Sequence, residues 1–134
     1  MRASLLFCVV LTAACDGGPT EDVFAVEGFV AGQITGPDGT PVPDTWVALD
    51  GVYPLSNGNT IPVYDSTQAD ALGRYRGRLA LLNLPDTIVT FSIRLWPPAA
   101  SGLSPDETVG LGLQVTHAPA PAQNTFVMNI QLAP

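Results

Sequence analysis

Apolar residues recur at every second position through much of the chain beyond Val23, and glycine or proline interrupts every longer stretch. With 13 glycines and 13 prolines among 134 residues, no segment there keeps the 3.6-residue period of an amphipathic helix for long. A period of two instead places successive side chains on opposite faces of a β-strand. The pattern predicts seven strands, at about 25–35, 45–51, 62–69, 73–82, 87–96, 108–116 and 124–132.

Each predicted strand has one apolar face that must be removed from water. The face is clearest in three strands, through Val89, Phe91, Ile93 and Leu95, through Val109, Leu111, Leu113 and Val115, and through Phe126, Met128, Ile130 and Leu132. Short strands of this kind pair face to face in two sheets. The fold class predicted for residues 23–134 is therefore all-β, a β-sandwich, with turns at Gly36–Gly39 and at Asn57-Gly58.

The first 15 residues have the pattern of an export signal. Arg2 supplies a positive charge, and Leu5–Ala14 then runs uncharged and apolar, well short of the roughly 20 residues that span a bilayer. The run ends in Leu11–Cys15 (LTAAC), which resembles the bacterial lipobox. The resemblance implies cleavage between Ala14 and Cys15, so that residues 1–14 are a lipoprotein signal peptide and Cys15 is lipidated.

The use of cysteine supports this interpretation. Cys8 would leave with the signal, and Cys15 would otherwise be a lone thiol in an oxidising compartment, which lipidation explains. Residues 15–22 comprise Cys15 and an acidic tether that reaches at most about 25 Å. We therefore expect a domain lipid-anchored close to the periplasmic face of a membrane or at the cell surface. An ordinary signal cleaved elsewhere, or an unprocessed N-terminus, stays open as an alternative.

Two stretches resemble carboxypeptidase regulatory-like domains. The first is Val30–Val47, with the turn DGTPV, and the second is Asp65–Tyr75, with the turn DALGRY. The resemblance implies a transthyretin-like, seven-stranded Greek-key β-sandwich that acts as a structural or binding module. The stretch Tyr53–Val63 is longer than the family usually allows there, so a hairpin and a loop both remain open.

Three residues in these stretches have readable physical roles. Gly39 and Gly73 are expected to supply turn backbone angles that other side chains resist. Tyr75 is expected to fill the edge of the core while its hydroxyl reaches the backbone or water.

The charge balance excludes one class of partner. Twelve Asp and Glu residues stand against five arginines, with no lysine, and the isoelectric point is about 4.2. Nucleic acid is therefore not expected as a partner, and neither is a polybasic contact with a membrane surface.

No catalytic constellation is recognisable. His117 is the only histidine, so two imidazoles cannot share a metal, and no G-x-S-x-G elbow is present. Hydroxyisourate hydrolases and intradiol dioxygenases resemble the expected architecture but need several histidines or tyrosine–histidine iron ligands. The carboxylates are scattered and are expected to cap turns, at Asp38, Asp44, Asp65, Asp70, Asp106 and Glu107. We predict no catalytic residue, no metal and no cofactor.

One charged feature is less routine. Arg74, Arg76 and Arg78 occupy alternate positions of a predicted strand and should project from one face. Such an arginine ladder could bind the carboxylates of an envelope polysaccharide or an acidic protein. The alternative is a solvated face whose arginines pair with neighbouring Asp or Glu and protect the sheet edge.

The function expected from the sequence is a non-catalytic binding or scaffolding lipoprotein of the bacterial envelope. Its partners would be the membrane, through Cys15, and an envelope protein or polysaccharide. A purely structural accessory subunit of an envelope complex, or an enzyme of unrecognised type, remains an alternative. An exposed apolar patch on a sheet would favour the accessory subunit, and a deep polar-lined pocket would favour a small ligand.

Overall fold

The computed structural model describes residues 25–82, 86–116 and 124–134. These residues form eight strands: β1 (Ala25–Thr35), β2 (Trp46–Pro54), β3 (Thr60–Gln68), β4 (Arg74–Leu82), β5 (Thr87–Trp96), β6 (Asp106–Val115), β7 (Thr125–Val127) and β8 (Ile130–Gln131). A short 3₁₀ turn, Ala99–Ser101, lies between β5 and β6.

The strands form two sheets. In the first sheet, β1 lies between antiparallel β4 on one side and parallel β7 and β8 on the other. The second sheet has the order β3-β2-β5-β6 and is antiparallel throughout. Their apolar faces form one common core. The all-β sandwich expected from the alternation is therefore confirmed.

The core is built from the alternating residues of the long strands. Val89, Phe91, Ile93 and Leu95 of β5 are all buried, as their shared face predicted. Phe91 meets Phe126 edge to face, with ring centroids 5.6 Å apart and planes at 83°. Burying side chains of this size contributes about 1.5–3 kcal/mol each, so these faces supply most of the driving force for folding.

Three tight turns share one geometry. Each is closed by two hydrogen bonds between backbone groups over five residues, at Gly36–Thr40, Leu55–Asn59 and Asp70–Arg74. The fourth residue is a glycine with positive φ, namely Gly39 (81°), Gly58 (83°) and Gly73 (69°). This is a type I turn followed by a bulge residue in the left-handed region. The roles expected of Gly39 and Gly73 are thereby confirmed.

The stretch 53–63 is a hairpin. β2 and β3 pair without interruption from Trp46 and Gln68 to Pro54 and Thr60, and the Leu55–Asn59 turn connects them. The open question about this segment is thereby answered in favour of strand pairing.

β6 departs from the predicted alternation at Val109. Phe91 pairs with Leu111 and Ile93 pairs with Thr108, so Val109 and Gly110 together oppose one residue of β5. Gly110 has φ 73°, which permits this bulge. Val109 consequently lies outside, with 66% of its surface exposed, and the prediction that it shares the core face was wrong.

The predicted last strand, 124–132, is divided into β7 and β8. Between them, the Tyr75 hydroxyl donates a hydrogen bond to the Met128 carbonyl at 2.8 Å, and the Asn129 side-chain oxygen accepts the Gln33 amide at 3.0 Å. Gly32 lies directly beneath, where a Cβ would overlap the Met128 carbonyl. The seven-strand prediction was therefore wrong in its last member, because side chains make the hydrogen bonds of the Met128 carbonyl and the Gln33 amide that a continuous backbone ladder would make. The role expected of Tyr75 is confirmed.

Candidate functional site

The three arginines of the ladder lie on one face, as predicted. Arg74, Arg76 and Arg78 are exposed on the outer surface of the first sheet, while the alternate residues Tyr75 and Leu79 are buried in the core. β4 is an edge strand of this sheet, and the Arg78 amide donates to the carboxylate of Asp65. The predicted arginine face is therefore present, and the Asp65 carboxylate accepts the hydrogen bond of one backbone amide at the edge of the sheet.

Two of these side chains already have partners within the protein. The guanidinium of Arg78 lies 3.0 Å from a carboxylate oxygen of Glu27. The guanidinium of Arg76 lies 3.9 Å above the centre of the Phe29 ring, in a cation–π contact. The Arg74 side chain makes neither kind of contact with the described residues. An anionic ligand would therefore compete with Glu27 for Arg78.

Arg94 lies apart from the ladder, on the second sheet. Its Nε is 2.7 Å from a carboxylate oxygen of Glu107, and this hydrogen bond raises the pKa of Arg94. Both groups are on the outer surface, on neighbouring strands β5 and β6. The charge of Arg94 is thus compensated locally.

The outer face of the second sheet carries a cluster of exposed aromatic side chains. Trp46 begins β2, Trp96 ends β5, and the two residues are direct cross-strand neighbours. Tyr64 lies on β3, on the other side of β2. The exposed fractions are 53% for Trp46, 45% for Trp96 and 68% for Tyr64. All three are large side chains that the sandwich leaves in contact with water.

These aromatic residues line a shallow cleft of about 360 Å³, here called the aromatic cleft. Ala48 and Ser66 are a cross-strand pair on the same face and also line it. Because these two side chains are small, the space between the larger rings stays open. The backbone of every lining residue belongs to a paired strand, so the cleft is held by the hydrogen-bond ladders of β2, β3 and β5.

The charges around the aromatic cleft are mainly negative. No charged residue lines it. Asp50 pairs across the strands with Tyr64, and Arg94 pairs with Ala48 but is bound to Glu107. Near the cleft, the positive charge of Arg94 is therefore opposed by two negative charges, those of Asp50 and Glu107.

Two further exposed apolar side chains lie on this face beyond the aromatic cleft. Val52 on β2 and Ile88 on β5 are exposed on the same outer face, farther along the sheet. Sequence analysis did not single out this surface. The sequence alternation does predict an outward position for Trp46, Trp96 and Ile88, because each has a buried apolar neighbour in the chain. The position of Tyr64 depends instead on the register between β2 and β3.

A larger cleft of about 600 Å³ lies at one end of the sandwich, between segments 36–44 and 98–103. Asp38 faces it, but one carboxylate oxygen accepts hydrogen bonds from the Thr40 amide at 3.0 Å and hydroxyl at 2.6 Å, which lowers the pKa of Asp38. Asp44 has φ 59°, a left-handed angle imposed by its turn. Asp38 therefore caps a turn, as expected.

The described ranges lack three features that are typical of other protein classes. Within 25–82, 86–116 and 124–134, no three His, Cys, Asp or Glu side chains are placed to hold a metal ion. No buried side-chain nitrogen or oxygen in those ranges is without a hydrogen-bond partner. No helix in the part of the chain that the structure describes could cross a membrane.

Some predicted features fall outside the described residues. The cleavage site at Ala14 and Cys15, the tether at 15–22 and His117 all belong to this group. Comparison with known proteins adds no relative: no family model matches the chain, and no curated protein shows significant similarity to it.

Proposed function

We propose that this chain is a non-catalytic binding module of the bacterial envelope, anchored by lipid at Cys15, that contacts its partner through the outer face of the second sheet. The observation that carries the proposal is the aromatic cleft, in which Trp46, Tyr64 and Trp96 are exposed together on a rigid sheet. The resemblance to carboxypeptidase regulatory-like domains, which are binding or structural modules, agrees with this function.

The favourable free energy of binding at this face would come mainly from the large apolar area of these side chains. An aromatic side chain buries about 150–250 Å² when it is covered, so three exposed rings leave a large apolar area in water. Tryptophan and tyrosine are enriched among the residues that dominate binding energy at protein interfaces. Strand pairing fixes the backbone beneath the rings, and each tryptophan or tyrosine has only two side-chain torsions to order, which lowers the entropic cost of binding.

The exposed apolar side chains beyond the aromatic cleft favour a protein as the partner. Val52 and Ile88 extend the contact area well beyond what a small ligand could cover. Exposed apolar side chains grouped on one sheet face are typical of a docking surface. They favour an accessory subunit of an envelope complex over a module for small ligands, and the partner is then another protein of that complex.

The arginine ladder is the weaker candidate. Arg78 is bound to Glu27, and Arg76 is stacked on Phe29. An acidic polymer would have to break the first contact, and the net charge of −7 would repel it at long range.

Site-directed photo-crosslinking in intact cells tests the proposal. A photo-reactive amino acid in place of Ser66 should form a crosslink to an envelope protein, and the combined changes Trp46→Ser and Trp96→Ser should abolish it. The matched control places the same amino acid at Thr125, on the outer face of the first sheet. Crosslinks from Thr125 alone would refute the assignment to the second sheet and favour the ladder.

The anchor is tested separately. Cys15→Ser should abolish incorporation of a palmitate analogue and release the protein from membranes. Failure of the unaltered protein to incorporate the analogue would contradict the lipid anchor.

A further inference from the structure

We propose that the aromatic cleft receives a cationic side chain, lysine or arginine, presented by the protein partner. The inference rests on the proposed function and specifies the chemistry of its contact. Three features of the protein favour a cation: the lining of the cleft, the charges around it, and a cation–π contact on the other sheet.

The lining favours a cation. The faces of tryptophan and tyrosine rings carry negative electrostatic potential and attract ammonium and guanidinium groups placed over them. Trp46, Tyr64 and Trp96 supply three such rings around one open space. The polar side-chain groups at the cleft are the hydroxyls of Ser66 and Tyr64 and the two indole N–H groups, and no carboxylate or amide side chain lines it. A sugar, which must satisfy several hydroxyl groups, would find few hydrogen-bonding partners there.

The surrounding charges favour the same sign. Asp50, which pairs across the strands with Tyr64, lies on the outer face of the sheet, where its negative charge attracts Arg94 and any further positive group that approaches the cleft. Arg94, the one cation nearby on this sheet, is bound to Glu107 and does not line the cleft. The chain as a whole has a net charge of −7, which attracts a basic segment before contact.

The protein itself provides a precedent for the contact. Arg76 lies 3.9 Å above the centre of the half-buried Phe29 ring, on the outer face of the first sheet. A guanidinium group therefore stacks on a single phenylalanine ring at a sheet surface of this protein, although phenylalanine binds cations less strongly than tryptophan. The aromatic cleft offers two tryptophans and a tyrosine, and none of the charged residues of the described chain lines it.

The experiment uses intrinsic fluorescence, because both tryptophans of the chain belong to the cleft. The full chain in neutral detergent is titrated with a short uncharged peptide that contains one central lysine. A second peptide carries norleucine, which has nearly the same shape but no charge. A third carries trimethyl-lysine, which retains the charge and cannot donate a hydrogen bond.

The lysine and trimethyl-lysine peptides should bind at least about fivefold more tightly than the norleucine peptide. Trp96→Leu should weaken binding of the lysine peptide by about three- to thirtyfold, with Trp46 still present as the reporter. Val127→Ser removes an exposed apolar side chain from the first sheet and serves as the matched control, which should leave binding unchanged. A far-ultraviolet circular dichroism spectrum checks that each variant is folded.

Three results would overturn the inference. Equal binding of the lysine and norleucine peptides would mean that the cleft recognises only apolar surface. A fluorescence response to neutral oligosaccharides, without one to the lysine peptide, would assign the cleft to sugars. Self-association that Trp96→Leu abolishes, measured by analytical ultracentrifugation, would assign it to a second copy of this chain.

Failure of the inference and failure of the proposed function can be told apart. If no basic peptide binds but the Ser66 crosslink still requires Trp46 and Trp96, the cationic contact is wrong and the docking face is retained. If the crosslink is also absent, both are wrong.

Discussion

Gly32→Ala tests whether the C-terminal strands lie where the structure places them. A Cβ at position 32 would overlap the carbonyl group of Met128, which is backbone and cannot rotate away as a side chain could. The segment between β7 and β8 would have to lift from β1. Two hydrogen bonds depend on its present position, from the Tyr75 hydroxyl to the Met128 carbonyl at 2.8 Å and from the Met128 amide to the Ala31 carbonyl at 2.9 Å.

The expected loss of stability follows from these contacts. Each hydrogen bond contributes about 1 kcal/mol net. Forcing an extra carbon into a packed position costs about 1–3 kcal/mol. We therefore expect Gly32→Ala to lower the free energy of unfolding by about 3–5 kcal/mol, which for a domain of about 110 residues lowers Tm by about 10–25 °C.

The measurement is thermal unfolding of the full chain in neutral detergent, followed by circular dichroism. Gly112→Ala is the matched control, because Gly112 is also a strand glycine but its Cβ would meet only a methyl group of the exposed Ile88 side chain. Tyr75→Phe should cost about 1 kcal/mol alone and much less in the Gly32→Ala background. Equal destabilisation by Gly32→Ala and Gly112→Ala would refute the placement of Met128 over β1.

Three further changes probe the core, a turn and the alkaline limit of stability. Phe91→Ala should lower the free energy of unfolding by about 3–5 kcal/mol in urea titrations, since Phe91 is buried edge to face against Phe126, and a loss below 1 kcal/mol would contradict its core position. Asp44→Gly should raise stability by about 0.5–1 kcal/mol in thermal unfolding because it relieves φ 59°, and a decrease would show that the side chain matters more than the angle. Burial raises the pKa of Tyr75 above its unfolded value of about 10, so stability should be intact at neutral pH and fall above pH of about 10. Tyr75→Phe should reduce that fall, which denaturation at pH 9–12 would detect; the remaining slope would come from Tyr53, whose pKa is also raised by burial.

The sequence predicts β1 and β5 to the residue, and the reason is physical. In β5, four apolar side chains alternate with exposed ones, and a shift of register by one residue would turn all four into water. Such a strand is specified by its own composition. The glycine turns are equally local, because the left-handed angle at Gly39, Gly58 and Gly73 depends on residues two or three positions away.

The features that sequence analysis missed depend on residues far apart in the chain. Val109 points outward because β5 and β6 pair with a bulge that Gly110 permits. A glycine within a strand does not by itself predict a bulge. The interruption near Met128 depends on Tyr75, 53 positions earlier. The aromatic cleft likewise requires two registers at once, β2 with β3 for Tyr64 and β2 with β5 for Trp96.

The position of β1 has a consequence for the time course of folding. The second sheet contains hairpins of neighbouring strands, which can pair as soon as they are made, whereas β1 is completed by a hydrogen bond between residues 96 positions apart, Gln33 and Asn129. Contacts of such long range slow folding, because the chain must close a large loop before they form. One side of β1 therefore stays unpaired until the C-terminal strands are available.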